Sequence, residues 1–171
     1  MSVNFFEHFH LPVSFTIDMQ ALESTYRKIQ AEVHPDKFVT ATPSEQLQSM
    51  QMATLTNEAY QTLKHPTARA RYLLHLQGIE TLEDSNTAMP ADFLMTQMEW
   101  REAMEDAEQG KDIDALDTLL RTVQQTGKTL QESFIQALSH DHQMAAQIVR
   151  KLSFIDKISA DIRDIISRLE D

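Results

Sequence analysis

The histidines and carboxylates of this chain are the residues that could support acid–base or metal chemistry. The histidines include two alternating pairs, His8 with His10 and His140 with His142. Positions two apart on a helix face different directions, so neither pair predicts a two-ligand metal site, and the chain contains no cysteine. The sequence also lacks nucleotide-binding, serine-hydrolase and zinc-protease motifs. The residue pattern therefore predicts no enzyme, no metal site and no cofactor.

The sharpest local signal is the tripeptide His34-Pro35-Asp36, which is followed by Lys37 and Phe38. Pro35 stiffens the backbone and ends the preceding helix, because the residue before a proline avoids the helical region. The carboxylate of Asp36 is too costly to bury unpaired, so we expect it at the surface. There it could accept a charge-assisted hydrogen bond from an arginine of another protein, worth roughly 1.5–3 kcal/mol. On its own, however, the tripeptide is more typical of an ordinary helix-ending loop.

A helix is predicted on each side of this loop. The first begins after Asp18, a suitable N-cap, and ends before Pro35. Its apolar stripe is formed by Met19, Leu22, Tyr26, Ile29 and Val33. The second runs from about residue 44 to residue 64. Its predicted buried side is formed by Leu47, Met52, Leu55, Ala59, Tyr60 and Leu63. A short helix over residues 4–10 precedes this pair, and a helix that stops at Gly78 follows it.

The C-terminal half predicts an antiparallel three-helix bundle, which makes the whole chain all-α. Residues 77–91 are polar and contain a proline, so they are the predicted linker. The first bundle helix is predicted from Asp92, as its N-cap, to Gln109, the second over residues 112–138 and the third over residues 142–169. Long amphipathic helices joined by short loops pack as antiparallel neighbours. Gly127, inside the apolar stripe of the second helix, indicates a close helix contact.

The formal net charge of −11 argues against a general nucleic-acid-binding protein, which would present a basic surface. Residues 1–75 carry −1 and residues 76–171 carry −10, which indicates two regions with different partners. No apolar run approaches the roughly 18 residues of a membrane span, and the N-terminus has no signal-peptide pattern. We therefore expect a soluble cytoplasmic protein that binds neither nucleic acid nor membrane.

One face of the first bundle helix has an apolar centre and an acidic edge. Helical spacing assigns to it Leu94, Met95, Met98, Glu99 and Glu102. Phe154, near the middle of the last helix, could pack beside this face. Apolar residues at helical spacing are also typical of a bundle core, so Leu94 and Met98 have an alternative, purely structural role.

The loop and its flanking helices resemble the J domain of DnaJ-type co-chaperones. The resemblance is carried by Tyr26-Arg27-Lys28-Ile29, by the His-Pro-Asp loop and by Asn57-Glu58-Ala59-Tyr60. It implies that His34, Pro35 and Asp36 engage the ATPase domain of a DnaK-type chaperone. It also implies that three basic residues dock against an acidic patch of that chaperone, namely Arg27, Lys28 and Lys37.

Motifs over the whole chain resemble the HscB family, the J proteins of bacterial iron–sulfur cluster assembly. Beyond His34-Pro35-Asp36-Lys37-Phe38, they are Lys64-His65-Pro66, Arg69-Ala70, Tyr72-Leu73-Leu74, Phe93-Leu94-Met95, Glu99, Arg101-Glu102, Arg150-Lys151-Leu152, Phe154 and Asp156-Lys157. The resemblance implies a J domain over residues 1–76 and a client-binding bundle over residues 92–171. In this family the bundle binds the scaffold protein IscU, and the J domain brings it to the chaperone HscA.

The HscB resemblance implies a client surface formed by Leu94, Met95, Met98, Glu99, Glu102 and Phe154. The expected function is that of a non-enzymatic co-chaperone, which binds an IscU-like scaffold, stimulates the ATPase of an HscA-like chaperone and aids cluster transfer. Two alternatives remain: a J-domain co-chaperone for a different client, and a helical adaptor without chaperone activity.

Overall fold

The computed structural model describes residues 3–81 and 89–171, and within these residues it is helical, without a strand. This confirms the predicted all-α class. The seven α-helices of the described residues are α1 Phe5–His8, α2 Met19–Glu32, α3 Pro43–Lys64, α4 Pro66–Leu76, α5 Ala91–Gln109, α6 Ile113–His140 and α7 His142–Glu170. A 3₁₀ helix, Pro35–Phe38, lies between α2 and α3.

The chain divides into two compact units, Met1–Leu73 and Leu74–Asp171. The predicted linker, residues 77–91, includes residues 82–88, which lie outside the described residues. Before them, α4 ends at Leu76 and the chain turns at Gly78, whose φ of 81° is the left-handed conformation that glycine adopts readily. The Gly78 N–H donates to the carbonyl of His75 and the Ile79 N–H to that of Leu74, a glycine-dependent helix end.

In the first unit, α2 and α3 form an antiparallel hairpin. Asp18 caps α2 as predicted, because its carboxylate accepts a hydrogen bond from the Ala21 N–H at 3.1 Å. The Tyr26 hydroxyl donates to Oδ1 of Asn57 at 2.6 Å, and its ring centroid lies 3.9 Å from that of Tyr60. Polar and aromatic contacts thus join the two helices near the middle of the hairpin.

The predicted buried side of α3 is partly wrong. Leu47, Met52 and Leu55 are exposed, and the buried residues of this helix are Ser49, Thr56, Ala59 and Leu63. Two of these are hydroxyl residues, which apolar periodicity overlooks. They can be buried because each has a hydrogen-bond partner: Val33 for Ser49 and His8 for Thr56.

The short helix α1 packs against α3 and α4 in the first unit. Phe6 and Phe9 are buried, and the Phe5 N–H donates to the Tyr72 hydroxyl at 2.9 Å. His8 is half-buried within this unit. Nε2 of its ring lies 2.9 Å from Oγ1 of Thr56, and burial, with a smaller contribution from the charge of His10, lowers the pKa of His8 below 6.5.

The second unit contains α5, α6 and α7, as predicted, around one core. Its buried residues include Trp100 and Met104 of α5, Leu116 and Val123 of α6, and Ile158 of α7. Gly127 makes the expected close contact, because a Cβ at this position would lie only 3.2 Å from Cγ2 of Ile155. Helices α6 and α7 can therefore approach closely at this point.

The predicted N-cap of α5 is wrong by two residues. The helix begins at Ala91 with Pro90 as the N-cap residue, so Asp92 lies in the first turn. The Asp92 carboxylate accepts from the Phe93 N–H at 2.9 Å. An acidic side chain in the first turn is favourable beside the positive end of the helix dipole. Asp92 therefore does mark the start of α5, but as a first-turn residue and not as the N-cap.

We expect the stability of the first unit to fall with acidification through His8. The lowered pKa means that the unfolded chain binds this proton more readily than the folded chain does, so the contribution is complete above pH about 6.5 and is lost as the pH falls toward the lower folded value. Urea unfolding between pH about 7.5 and about 5.5 should show this loss. His8→Gln, which can still donate to Thr56 but does not titrate, should flatten the profile. An equally steep profile in this variant would assign the effect to another group.

Candidate protein-binding sites

The His-Pro-Asp loop is a short 3₁₀ helix whose polar side chains face solvent. His34 is its N-cap residue, and Nδ1 of the ring accepts a hydrogen bond from the Asp36 N–H at 3.2 Å. The side chains of His34 and Asp36 are 59% and 88% exposed. Asp36 is therefore directed outward, where a carboxylate is accessible to a second protein.

The cap indicates the tautomer of the neutral His34 ring, whose Nδ1 also lies 3.6 Å from Oδ2 of Asp36. Nδ1 can accept the Asp36 N–H only while it is unprotonated, so the neutral ring has its hydrogen on Nε2. The loop then presents an N–H donor on His34 and an acceptor on Asp36. Such a pair can recognise a partner that offers the complementary acceptor and donor.

Helix α3 holds the two ends of this loop. The Ser49 hydroxyl donates to the carbonyl of Val33 at 2.7 Å, just before the tripeptide. The Gln46 side chain donates to the carbonyl of Phe38 at 2.9 Å, at the end of the 3₁₀ helix. Sequence reasoning missed both anchors. The available signal was the presence of polar residues three apart at the N-terminal end of α3.

The predicted basic residues around the loop are exposed. Arg27 and Lys28 lie on α2, and Lys37 lies within the 3₁₀ helix. A nitrogen of Arg27 is 3.5 Å from Oε2 of Glu23, one turn earlier, with the Arg27 side chain 77% exposed. Exposed pairs of this kind contribute little stability, so Arg27 can exchange Glu23 for an acidic partner at low cost.

The α5 face is largely exposed at the predicted residues. Met95 and Met98 are 61% and 72% exposed, Glu99 and Glu102 are exposed, and Leu94 is half-buried. A place in the bundle core was the alternative for both Leu94 and Met98. The exposure of Met98 excludes it for that residue. The face combines flexible thioether side chains with two carboxylates.

Phe154, the predicted client residue on α7, is half-buried and packs against the bundle core. Its ring stacks on Trp100 with centroids 6.3 Å apart and meets the edge of Phe93 at 5.9 Å. The guanidinium of Arg101 lies 5.3 Å from its centroid. These contacts connect Phe154 to α5. They also give its ring a structural role in the bundle, which the sequence indicated as an alternative only for Leu94 and Met98.

Comparison with known proteins decides the family. The chain is 46% identical over 166 residues to the co-chaperone protein HscB homolog of Paraburkholderia xenovorans, covering 96% of this chain and 95% of the relative. The chain belongs to the HscB family of co-chaperones. Residues 89–163 also match the model of the HSCB C-terminal oligomerisation domain.

Two solved HscB structures share the fold. The chaperone HscB from Vibrio cholerae has a TM-score of 0.87 at 37% identity, covering 98% of this chain and 99% of the neighbour. The human co-chaperone protein HscB has a TM-score of 0.89 at 30% identity, covering 95% and 81% respectively. The all-α fold and J-type co-chaperone class follow from this membership, and co-chaperones are a non-enzymatic class.

Residues 3–81 and 89–171 also lack two features. In those ranges no helix is both long and apolar enough to span a bilayer. The same ranges contain no group of three or more histidine or carboxylate side chains arranged to hold a metal ion.

We expect Ser49→Ala to weaken the anchor of the loop. The Val33 carbonyl would lose a buried donor, which should lower the free energy of unfolding by about 1–2 kcal/mol and increase amide exchange in residues 33–38. Thr54→Ala is the matched control, because Thr54 donates to the Met50 carbonyl on the exposed side of the same helix. Its effect should stay within about 0.5 kcal/mol. Equal effects of the two substitutions would contradict the anchoring role.

Proposed function

We propose that this protein is a cytoplasmic co-chaperone that binds an iron–sulfur scaffold protein of the IscU type and delivers it to a DnaK-type chaperone of the HscA type. It stimulates the ATPase of that chaperone and so promotes cluster transfer. The observation that carries the proposal is the outward His34–Asp36 pair on an anchored loop in a chain of the HscB family.

The loop would act on the chaperone by differential binding. Asp36 would accept from an arginine, and Nε2–H of His34 would donate to a nearby acceptor, in the chaperone conformation that hydrolyses ATP. A ligand that binds one conformation more tightly shifts the population toward it. Lys37 on the loop, with Arg27 and Lys28 on α2, would add attraction to an acidic patch and raise the rate of encounter.

The α5 face would hold the client. Its exposed methionines can adapt to an apolar client surface, because the thioether chain is flexible and polarisable. Glu99 and Glu102 would face basic groups at the edge of that surface. Leu94 and Phe154, both half-buried, would complete the apolar centre.

Carrying both sites on one chain has a kinetic consequence. A client held by the bundle reaches the chaperone as part of the same complex, so its encounter is effectively intramolecular. Linked sites can raise overall affinity by roughly 10²–10⁴ without any new contact. The co-chaperone would thereby couple client delivery to ATP hydrolysis.

His34→Gln should abolish stimulation of the chaperone ATPase while helicity and thermal unfolding stay nearly unchanged. The side chain is exposed, so its replacement removes the cap and the outward donor without opening the core. Steady-state ATPase rates measure the effect, and His142→Gln, at another exposed histidine, is the control. Full stimulation by His34→Gln would contradict the loop assignment. An unmutated chain that stimulates no DnaK-type chaperone would favour the helical adaptor.

Met95→Ala combined with Met98→Ala should weaken scaffold binding at least about ten-fold with little change in melting temperature, because both side chains are exposed. Leu94→Ala combined with Phe154→Ala should also weaken it, by several kcal/mol if both are hot spots, but should lower the melting temperature because Phe154 packs on the core. Calorimetric titration with an IscU-type scaffold measures the affinity.

Met144→Ala is the matched control, since Met144 is exposed in the first turn of α7. Unchanged affinity of the Met95/Met98 variant would exclude this face as the client site. Chaperone stimulation without scaffold binding by the unmutated chain would indicate a different client.

A further inference from the structure

One arginine joins the α5 face to the client residue of α7. The guanidinium of Arg101 lies over the Phe154 ring at 5.3 Å, and Nη1 is 3.9 Å from a carboxylate oxygen of Asp161. Phe154 and Asp161 are seven residues apart, two turns along one side of α7. Arg101 therefore contacts α7 at two points, an arrangement called the Arg101 bridge below.

Arg101 also occupies a particular position on α5. It follows Leu94 by seven residues and Met98 by three, so these side chains share one strip of the helix. Trp100, the preceding residue, is buried in the bundle core. Arg101 thus lies at the border between the core side of α5 and its exposed face.

We propose that Arg101 is a positioning residue of the client surface, which holds Phe154 beside the exposed face of α5. The inference rests on the proposed client-binding function. A planar guanidinium can stack on a ring and pair with a carboxylate at the same time. Without it, Phe154 retains Trp100 and Phe93 as neighbours but loses the contact that joins it to the Leu94–Met98 strip.

Substitution of Asp161 distinguishes this positioning role from direct contact between Arg101 and the client. If Arg101 acts through the bridge, removing the Asp161 charge should weaken client binding in the same direction as removing Arg101. If Arg101 instead binds a carboxylate of the client, removing Asp161 should free it and leave the affinity unchanged or higher.

Full-length variants would be titrated with an IscU-type scaffold. Arg101→Met should weaken binding about five-fold, and Asp161→Asn about two-fold, as expected for partly exposed cation–ring and ion-pair contacts. The double variant should bind no more weakly than Arg101→Met alone, because both changes break the same bridge. Arg101→Lys should recover part of the affinity, since an ammonium can also lie over a ring, as Lys151 lies 5.4 Å from the Phe93 centroid.

Trp100 reports on the bridge without any client. It is the only tryptophan of the chain and stacks on Phe154 with an interplanar angle of 12°. Arg101→Met should change its near-ultraviolet circular dichroism and fluorescence emission while far-ultraviolet circular dichroism stays constant. The near-ultraviolet signal depends on how the indole packs against Phe154, so a positioning role predicts this change.

Arg168→Gln is the matched control. Arg168 also joins α7 to α5, because its Nη2 lies 3.3 Å from Glu108 of α5, and its Nε lies 3.1 Å from Asp164 of its own helix. It does so in the last turn of each helix, so scaffold affinity and the Trp100 signal should stay unchanged.

Wild-type affinity and an unchanged Trp100 signal in Arg101→Met would overturn the positioning role and leave the proposed function intact. Unchanged or tighter binding by Asp161→Asn, with weaker binding by Arg101→Met, would overturn it in favour of direct contact. Failure of the unmutated chain to bind the scaffold would refute the client function itself, and this role with it.

Discussion

The carboxylate of Asp36 stays available to another protein because the ends of its loop are anchored and its middle is stiff. Proline fixes one backbone angle, but a turn with free ends could still rotate its side chains inward or sample many orientations. Ser49 and Gln46 bind the carbonyls of Val33 and Phe38, and Nδ1 of His34 binds the Asp36 N–H. The loop therefore loses its conformational entropy during folding, and not when another protein binds.

This constraint explains why α3 has an unusual buried side. A helix that only needed to pack would place leucine or methionine inward, yet α3 exposes Leu47 and buries Ser49. The inward hydroxyl supplies the donor that the Val33 carbonyl lacks within α2, because the helix ends before this residue. Anchoring of the loop and burial of apolar side chains therefore compete on α3, and hydrogen bonding decides the outcome at its N-terminal end.

The sequence was sufficient to predict helix ends that local signals determine. It was insufficient where contacts between distant residues determine the structure. Asp18, Pro35 and Gly78 placed helix ends well, because caps, prolines and left-handed glycines act locally. The surface position of Asp36 and the exposure of Met95 and Met98 followed from pattern and family resemblance, and the binding roles of these residues stay predictions. The polar burial of Ser49, the environment of His8 and the start of α5 at Ala91 did not, since each depends on a partner or backbone geometry that spacing does not encode.

The two proposed sites would achieve recognition in different ways. The His34–Asp36 pair is held by hydrogen bonds to its own backbone and to α3, which suits a contact with one defined geometry. The α5 face instead presents Met95 and Met98, whose exposed side chains would lose rotamer freedom only when a client covers them. Such a face alone would be adaptable but poorly defined in shape. The half-buried ring of Phe154, packed between Trp100 and Phe93, supplies the fixed element beside it. A client surface that combines soft and fixed apolar groups can adapt to its partner and still require a particular register, because only one placement covers both.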